Sequence, residues 1–252
     1  MNVRRVVRRV GWGLIWSALL IFAFLGYQLF VTDLLNDRVQ AAAEADLAED
    51  LAERREDLPE PEIVTVELPP DDPADTPTST TPTSTSTTVP PVEFSPEEAG
   101  EEGSTLGRIA IPSLDVDEVL FEGVTRETLN MGPGHMPWTP VPGQPGNAVI
   151  SGHRTTYGRP FYDLDKLEMG DRIEVETAVG LHVFEVREIH IVEPTDVWVT
   201  EPIPGAWLTL TTCHPRFSAA ERLIIQAEMV EGPNLEYASL LAQVRDGNEE
   251  RT

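Results

Sequence analysis

Cysteine is almost missing from this sequence, with Cys213 alone in 252 residues, and lysine is as scarce, with Lys166 alone among 18 basic residues. A single cysteine excludes an intrachain disulfide framework and a zinc site built on paired cysteines. A Gly-rich phosphate loop, an internal repeat and an HExxH metal motif are also absent. Positive charge is short overall: 43 Asp and Glu face 18 Lys and Arg, for a net charge of −25. An acidic folded part excludes a general polyanion binder, because neutralising phosphates takes clustered Lys and Arg.

The charge that is present divides the chain into three compositions. Residues 1–31 carry +4, residues 32–104 carry −17 and residues 105–252 carry −12. From Val10 to Val31 no side chain is charged. As a helix this run is about 33 Å long, enough to cross a hydrocarbon core of about 30 Å. Trp12, Trp16 and Tyr27 lie toward its ends, where amphipathic rings favour the headgroup layer. Arg4, Arg5, Arg8 and Arg9 precede it and acids follow, which places residues 1–9 in the cytoplasm as a basic tail and the rest outside. A cleaved signal peptide is the rival reading, but its apolar region is normally about 7–15 residues, and Ala41, Ala42 and Ala43 lie well past the run. An uncleaved transmembrane helix over residues 10–31 is therefore expected. The lone cysteine then sits in an oxidising compartment, either buried or kept for its reactivity.

Residues 32–104 read as an acidic juxtamembrane helix followed by a linker. Residues 33–60 are rich in Ala, Leu, Glu and Arg, which favours helix, and their sparse apolar positions suggest a solvated one. From Leu68 to Pro96 Pro, Thr, Ser and Asp dominate; such a stretch cannot bury a core and is expected to be a disordered spacer. Fully extended, it would reach roughly 85 Å.

Residues 105–230 carry short β-type runs between Gly and Pro punctuation, and a polar tail is expected over residues 231–252. Strands are predicted at Arg108–Ile111, Val116–Phe121, Ala148–Ser151, Arg172–Glu176, His182–Ile191, Trp207–Thr212 and Leu223–Met229, with short helical turns at Arg126–Asn130 and Phe161–Leu167. Seven or eight strands in so short a stretch suit a closed or nearly closed β-barrel, an all-β fold.

Nucleophilic chemistry can come only from Cys213, the histidines and nearby arginines. Cys213 ends an alternating run, and Pro215 forbids the ladder from continuing. Arg222 opens the next strand, so an antiparallel pair brings both to one mouth of the barrel. A guanidinium there stabilises a thiolate and can hold an oxyanion or a peptide carbonyl. His153 closes a short apolar strand and opens the polar loop Gly152–Gly158, a usual way to present a side chain at a sheet edge. His182 and His190 lie within a longer strand as packing or surface residues, and His135 is in a Pro/Gly loop. His214 adjoins Cys213, but strand neighbours point to opposite faces. Arg154 and Arg216 compete for the arginine role. A buried, inert cysteine is the bland alternative.

The segments TLTTCHP (Thr209–Pro215), Arg222 nine positions after the cysteine, and SGHRTTYG (Ser151–Gly158) together resemble the sortases, over about residues 105–230. The TLTTCHP form is similar to class E of that family, found in high-GC Gram-positive bacteria. The resemblance implies an eight-stranded β-barrel with short helices and a cysteine transpeptidase needing no cofactor and no metal. Such an enzyme cleaves a secreted protein's C-terminal sorting signal after Thr, of the Leu-Ala-x-Thr-Gly type for class E, and passes the acyl group to a peptidoglycan-precursor amine. It further implies Cys213 as nucleophile, His153 as general acid/base, Arg222 as oxyanion or positioning residue, and Thr212 as a substrate-groove residue. An L,D-transpeptidase resemblance is weaker, since that family carries a Ser-x-Gly-Cys-x-Arg core. A non-catalytic, membrane-tethered wall-binding β-domain is the remaining alternative.

Overall fold

The computed structural model describes residues 3–27, 32–65, 67–68, 87–88 and 91–249. Its centre is a barrel of eight strands: β1 (Thr105–Ile111), β2 (Val116–Glu122), β3 (Gly134–His135), β4 (Gly146–Ser151), β5 (Arg172–Glu176), β6 (Leu181–Val192), β7 (Ala206–His214) and β8 (Glu221–Glu231). They close in the order β6-β8-β7-β4-β3-β2-β1-β5. Neighbours are antiparallel except β7 with β4 and β2 with β3. All seven strands predicted from the sequence are present, mostly longer by a few residues. The eighth, β3, is two residues long and too short to show a period.

Side-chain alternation fills the barrel. Along β7, Ala206, Leu208 and Leu210 join the core, and along β8 so do Leu223, Ile225, Ala227 and Met229. Leu106, Ile109, Ile111, Ile150, Phe161, Ile173 and Phe184 complete an interior from which water is excluded. Burying each large side chain contributes about 1.5–3 kcal/mol, so the barrel holds most of the hydrophobic stabilisation. The helical turns fall where expected. Helix α3 (Arg126–Leu129) is capped by Thr125, whose Oγ1 accepts from Thr128 N, and a 3₁₀ turn spans Leu164–Lys166.

Helix α1 (Val3–Gly26) contains Val7–Gly26, which is long and apolar enough to cross a membrane, and none of that span is buried against the protein.

Three expectations outside the barrel differ from what is observed. Helix α2 (Thr32–Glu56) is not solvated all round but docks on β1 and β2. Leu47 and Leu51 bury against the outward Val119 and Phe121. The Gln40 side chain pairs with both backbone groups of Val119, accepting from N–H (2.8 Å) and donating to the carbonyl (3.2 Å). Because β3 reaches only Phe121 and Glu122, Val119 lies on an open strand edge, and an amide side chain supplies what a neighbouring strand would. The Pro/Thr/Ser stretch lies largely outside the described residues, but its flanks pair antiparallel, Glu62–Val64 with Val92–Phe94. Finally, residues 231–252 are not simply a polar tail. Helix α4 (Leu235–Glu249) buries Ala238 in the barrel core, and its Leu240 packs against Val92 with Tyr237 and Val244.

Candidate active site

The alternation that points Leu208 and Leu210 inward points Thr209, Thr211 and Cys213 outward. Arg222 lies directly opposite Cys213 in the antiparallel pair of β7 and β8, and Ile224 opposite Thr211. Directly opposed residues share a face, so Cys213 and Arg222 sit side by side. On the other flank β4 runs parallel to β7, with Ser151 beside Thr211. Two residues further along each strand come His153 and Cys213. One outward face at one end of the barrel thus receives the three residues expected from the sequence to carry the chemistry.

They line a single cleft of about 490 Å³. Val149, Ser151, Thr211 and Ile224 form its floor, and Leu129, Met136 and Trp138 one wall. The opposite wall is the β6–β7 connection, including Pro194, Val197 and Val199. That wall is anchored from below: Asn147 donates to the carbonyls of Val199 and Glu201 (3.0 Å each), and Thr209 Oγ1 donates to Asn147 Oδ1 (2.7 Å). Trp138 and Val197 are each 70 % exposed on the rim, so the cleft offers an apolar, open-ended surface rather than a closed chamber.

His153 is set by the packing of its loop. Gly152 crosses the ring of buried Phe161 so closely that a Cβ would lie 2.5 Å from it, and Phe161 N donates to the His153 carbonyl (3.2 Å). The imidazole is half-buried near Tyr157, with ring centroids 5.2 Å apart, and its Nε2 is buried without a hydrogen-bond partner. Burial, then the charge of Arg126, push its pKa below the usual imidazole value. An unpartnered ring nitrogen in a cleft is suited to exchanging a proton with a bound ligand.

Cys213 is a free, partly exposed thiol at the strand end, and a cis bond joins His214 to Pro215 beyond it. Arg222 uses Nη1 to donate to the carbonyls of Ala219 (3.1 Å) and Glu221 (2.9 Å). Those two bonds aim the guanidinium while Nε and Nη2 take no acceptor among the described residues. Thr212 borders the cleft but is 3 % exposed, and its hydroxyl donates to the Gly152 carbonyl (2.8 Å). It ties the cysteine strand to the histidine loop.

The rival arginines have other tasks. Arg154 is 2 % exposed, donating to the Cys213 carbonyl (3.2 Å) and the His214 Nδ1 (2.8 Å) and pairing with Asp165 (3.0 Å). This buried clamp behind the strand end was not foreseen; only its position next to His153 hinted at it. Arg216 is held by Asp163 and Asp165 and lies over the Tyr162 ring. His135 is buried between the Glu122 carboxylate (2.7 Å) and the Pro140 carbonyl (2.9 Å). His182 is buried in the barrel, where desolvation pushes its pKa to about 4. His190 is on the surface beside Glu188 and Trp198. No group of three or more His, Cys, Asp or Glu among the described residues is arranged to hold a metal ion.

Comparison with known proteins points one way. Residues 109–230 match the family profile described as Sortase domain. Sortase SrtE1 of Streptomyces coelicolor is 36 % identical over 147 residues, covering 52 % of this chain and 42 % of that protein. Sortase D of Bacillus subtilis is 32 % identical over 135 residues, covering 52 % of this chain and 66 % of that protein. The chain thus spans less than two thirds of the length of these relatives. Among solved structures, sortase C of Clostridium perfringens, crystallised with the C-terminal cell wall sorting motif, aligns with a TM-score of 0.50 and 28 % identity over 52 % of this chain and 74 % of that one. The match places a sortase domain at residues 109–230, and the barrel it covers is similar to the sortases.

Proposed function

We propose that this protein is a membrane-anchored cysteine transpeptidase that cleaves a C-terminal sorting signal, of the Leu-Ala-x-Thr-Gly type, between Thr and Gly and joins the new C-terminus to a cell-wall amine. The observation that carries the reading is the convergence of Cys213, His153 and Arg222 on one outward face around one cleft. An extended peptide fits a groove with a strand-built floor and apolar walls, and small or aliphatic side chains suit Val149, Val199 and Ile224.

In the reaction so read, the Cys213 thiolate attacks the carbonyl carbon of the signal's Thr. The carbonyl oxygen gains the charge and takes hydrogen bonds from the open donors of Arg222. Collapse of the tetrahedral species breaks the C–N bond, and His153 gives its proton to the departing Gly amine, leaving a thioester on Cys213. An acceptor amine then attacks the thioester and gives a proton to His153; collapse breaks the C–S bond, so that the new amide leaves and the Cys213 thiolate and protonated His153 are restored. Burial disfavours the imidazolium, so the protonated His153 that the cleavage step uses is the less favoured form of the ring. Anchoring through α1, with the N-terminus cytoplasmic and the barrel outside, fits the basic residues ahead of the apolar helix.

The decisive experiment is mass spectrometry of the chain mixed with a small library of sorting peptides. An acyl adduct on Cys213 ending at the peptide's Thr supports the proposal. An unreactive thiol, or adducts at other residues, would favour the non-catalytic binding domain.

A further inference from the structure

Helix α2 does more than cover a strand edge, for its first two turns reach the loop that carries His153. Asp33 Oδ1 accepts from Gly158 N (3.2 Å), and its Oδ2 pairs with Arg159 Nε (3.1 Å). One turn on, Asn36 is 3 % exposed and donates to the carbonyls of Asn130 (3.1 Å) and Met131 (2.8 Å). Asn36 also lies against Gly158, where a Cβ would come within 1.9 Å of its Oδ1. Asn130 and Met131 directly follow α3, whose Leu129 lines the cleft and whose Arg126 acts on the imidazole. Two turns of one helix therefore hold both segments that flank His153.

The contacted loop needs holding. Tyr157, Gly158 and Arg159 have φ of 53°, 75° and 54°, three consecutive residues in the left-handed region. For Tyr and Arg that conformation is strained and persists only where surrounding structure enforces it. Asp33 and Asn36 bear on the last two of the three, and the first, Tyr157, stacks near the His153 ring.

We propose that α2 is a positioning element for His153: Asp33 and Asn36 hold the 157–159 loop and the end of α3 in the arrangement that buries the imidazole beside Cys213. When α2 lifts away, the barrel stays folded and the histidine loses its place. Only the kinetic arm of the test rests on the transpeptidase reading.

The test uses the full chain in detergent micelles, comparing wild type with Asn36→Ala, Asp33→Ala and the conservative Asp33→Glu. The first readout is the NMR titration of His153, whose surroundings are Arg126 from α3, Tyr157 from its own loop, and Cys213 and Arg222 across the cleft. In both alanine variants it moves up toward the solvated value of about 6.5, while the barrel's melting temperature holds. In the second readout, kcat for a sorting peptide falls about ten- to hundredfold with KM nearly unchanged, as for misplacement of a reacting group. Asp33→Glu recovers most of both. A His153 titration identical to wild type in both alanine variants overturns the proposal, whatever happens to activity or melting. If Asn36→Ala does not fold, Asp33→Ala carries the same decision, since it leaves the buried amide intact. A wild-type chain that cleaves no peptide sinks the transpeptidase reading, while the titration still decides the role of α2.

Discussion

On the β1–β2 side of the barrel, the outward Val119 and Phe121 are covered by Leu47 and Leu51 of the chain's own helix. On the β4–β7–β8 side, the outward Val149, Thr211 and Ile224 line a cleft whose rim leaves Trp138 and Val197 mostly exposed. One alternation builds both faces. The difference is that the first is finished internally and the second is left for something else to cover. An apolar groove left open beside a thiol and an unpartnered imidazole nitrogen is where the molecule spends its binding capacity.

The two faces make separable predictions. Cys213→Ala on the open face should lower sorting-peptide cleavage at least about a thousandfold with no change in melting, because in the proposed mechanism the thiol supplies the covalent step and it contributes little packing. Residual cleavage above that level would move the nucleophile elsewhere. Arg222→Lys keeps the charge but not the planar fork, and kcat should fall about a hundred- to a thousandfold; full activity would mean that only a positive charge matters.

The strand edge that α2 covers should answer to pH instead. Glu118 is pushed up to about 7, first by burial and then by Asp37, Asp117 and Glu44, two of which belong to α2. A carboxyl with a raised folded pKa contributes stability that is complete below about 4.5 and lost as pH rises through about 7. The loss amounts to about 3 kcal/mol at most, so α2 should exchange amide hydrogens faster at pH 8 than at pH 5 after correction for intrinsic rates. Glu118→Gln should flatten that difference, and an unchanged pH dependence in the variant would assign it to other groups. The smallest effect returns to the cleft. Arg126→Gln removes a charge that lowers the His153 pKa, so the acid limb of the pH–rate curve should shift to higher pH. A curve that rises and never turns down at high pH would contradict a required protonated imidazole.

Much of this was legible in the sequence. The strands showed because their inward residues repeat every second position. That Cys213, His153 and Arg222 would meet at one mouth of the barrel showed because each stands at or just beyond the end of a strand. Helix α2 hid its docking because half of its contact stripe is polar: Asn36 and Gln40 satisfy backbone groups of the barrel, and only Leu47 and Leu51 register as apolar. A search for apolar faces does not count an amide that replaces a strand partner. In α4 a signal was present, with Tyr237, Leu240 and Val244 at helical spacing, but the acidic and polar residues around them masked it. Arg154 could not be placed from sequence, since a loop arginine beside a catalytic candidate can face the ligand or the core, and only the fold decides which.

The stapling of Glu62–Val64 to Val92–Phe94 changes what the Pro/Thr/Ser-rich stretch can be for. With its entry and exit fastened together, it is a side excursion and adds nothing to how far the barrel strays from its anchor. Doubling it would cost only about 0.6 kcal/mol of closure entropy. On the anchored reading proposed above, the leash is instead the stretch between Gly26 and Thr32, which would keep the barrel in the layer next to the lipid, and a tag spliced into the excursion should ride along without lengthening its reach.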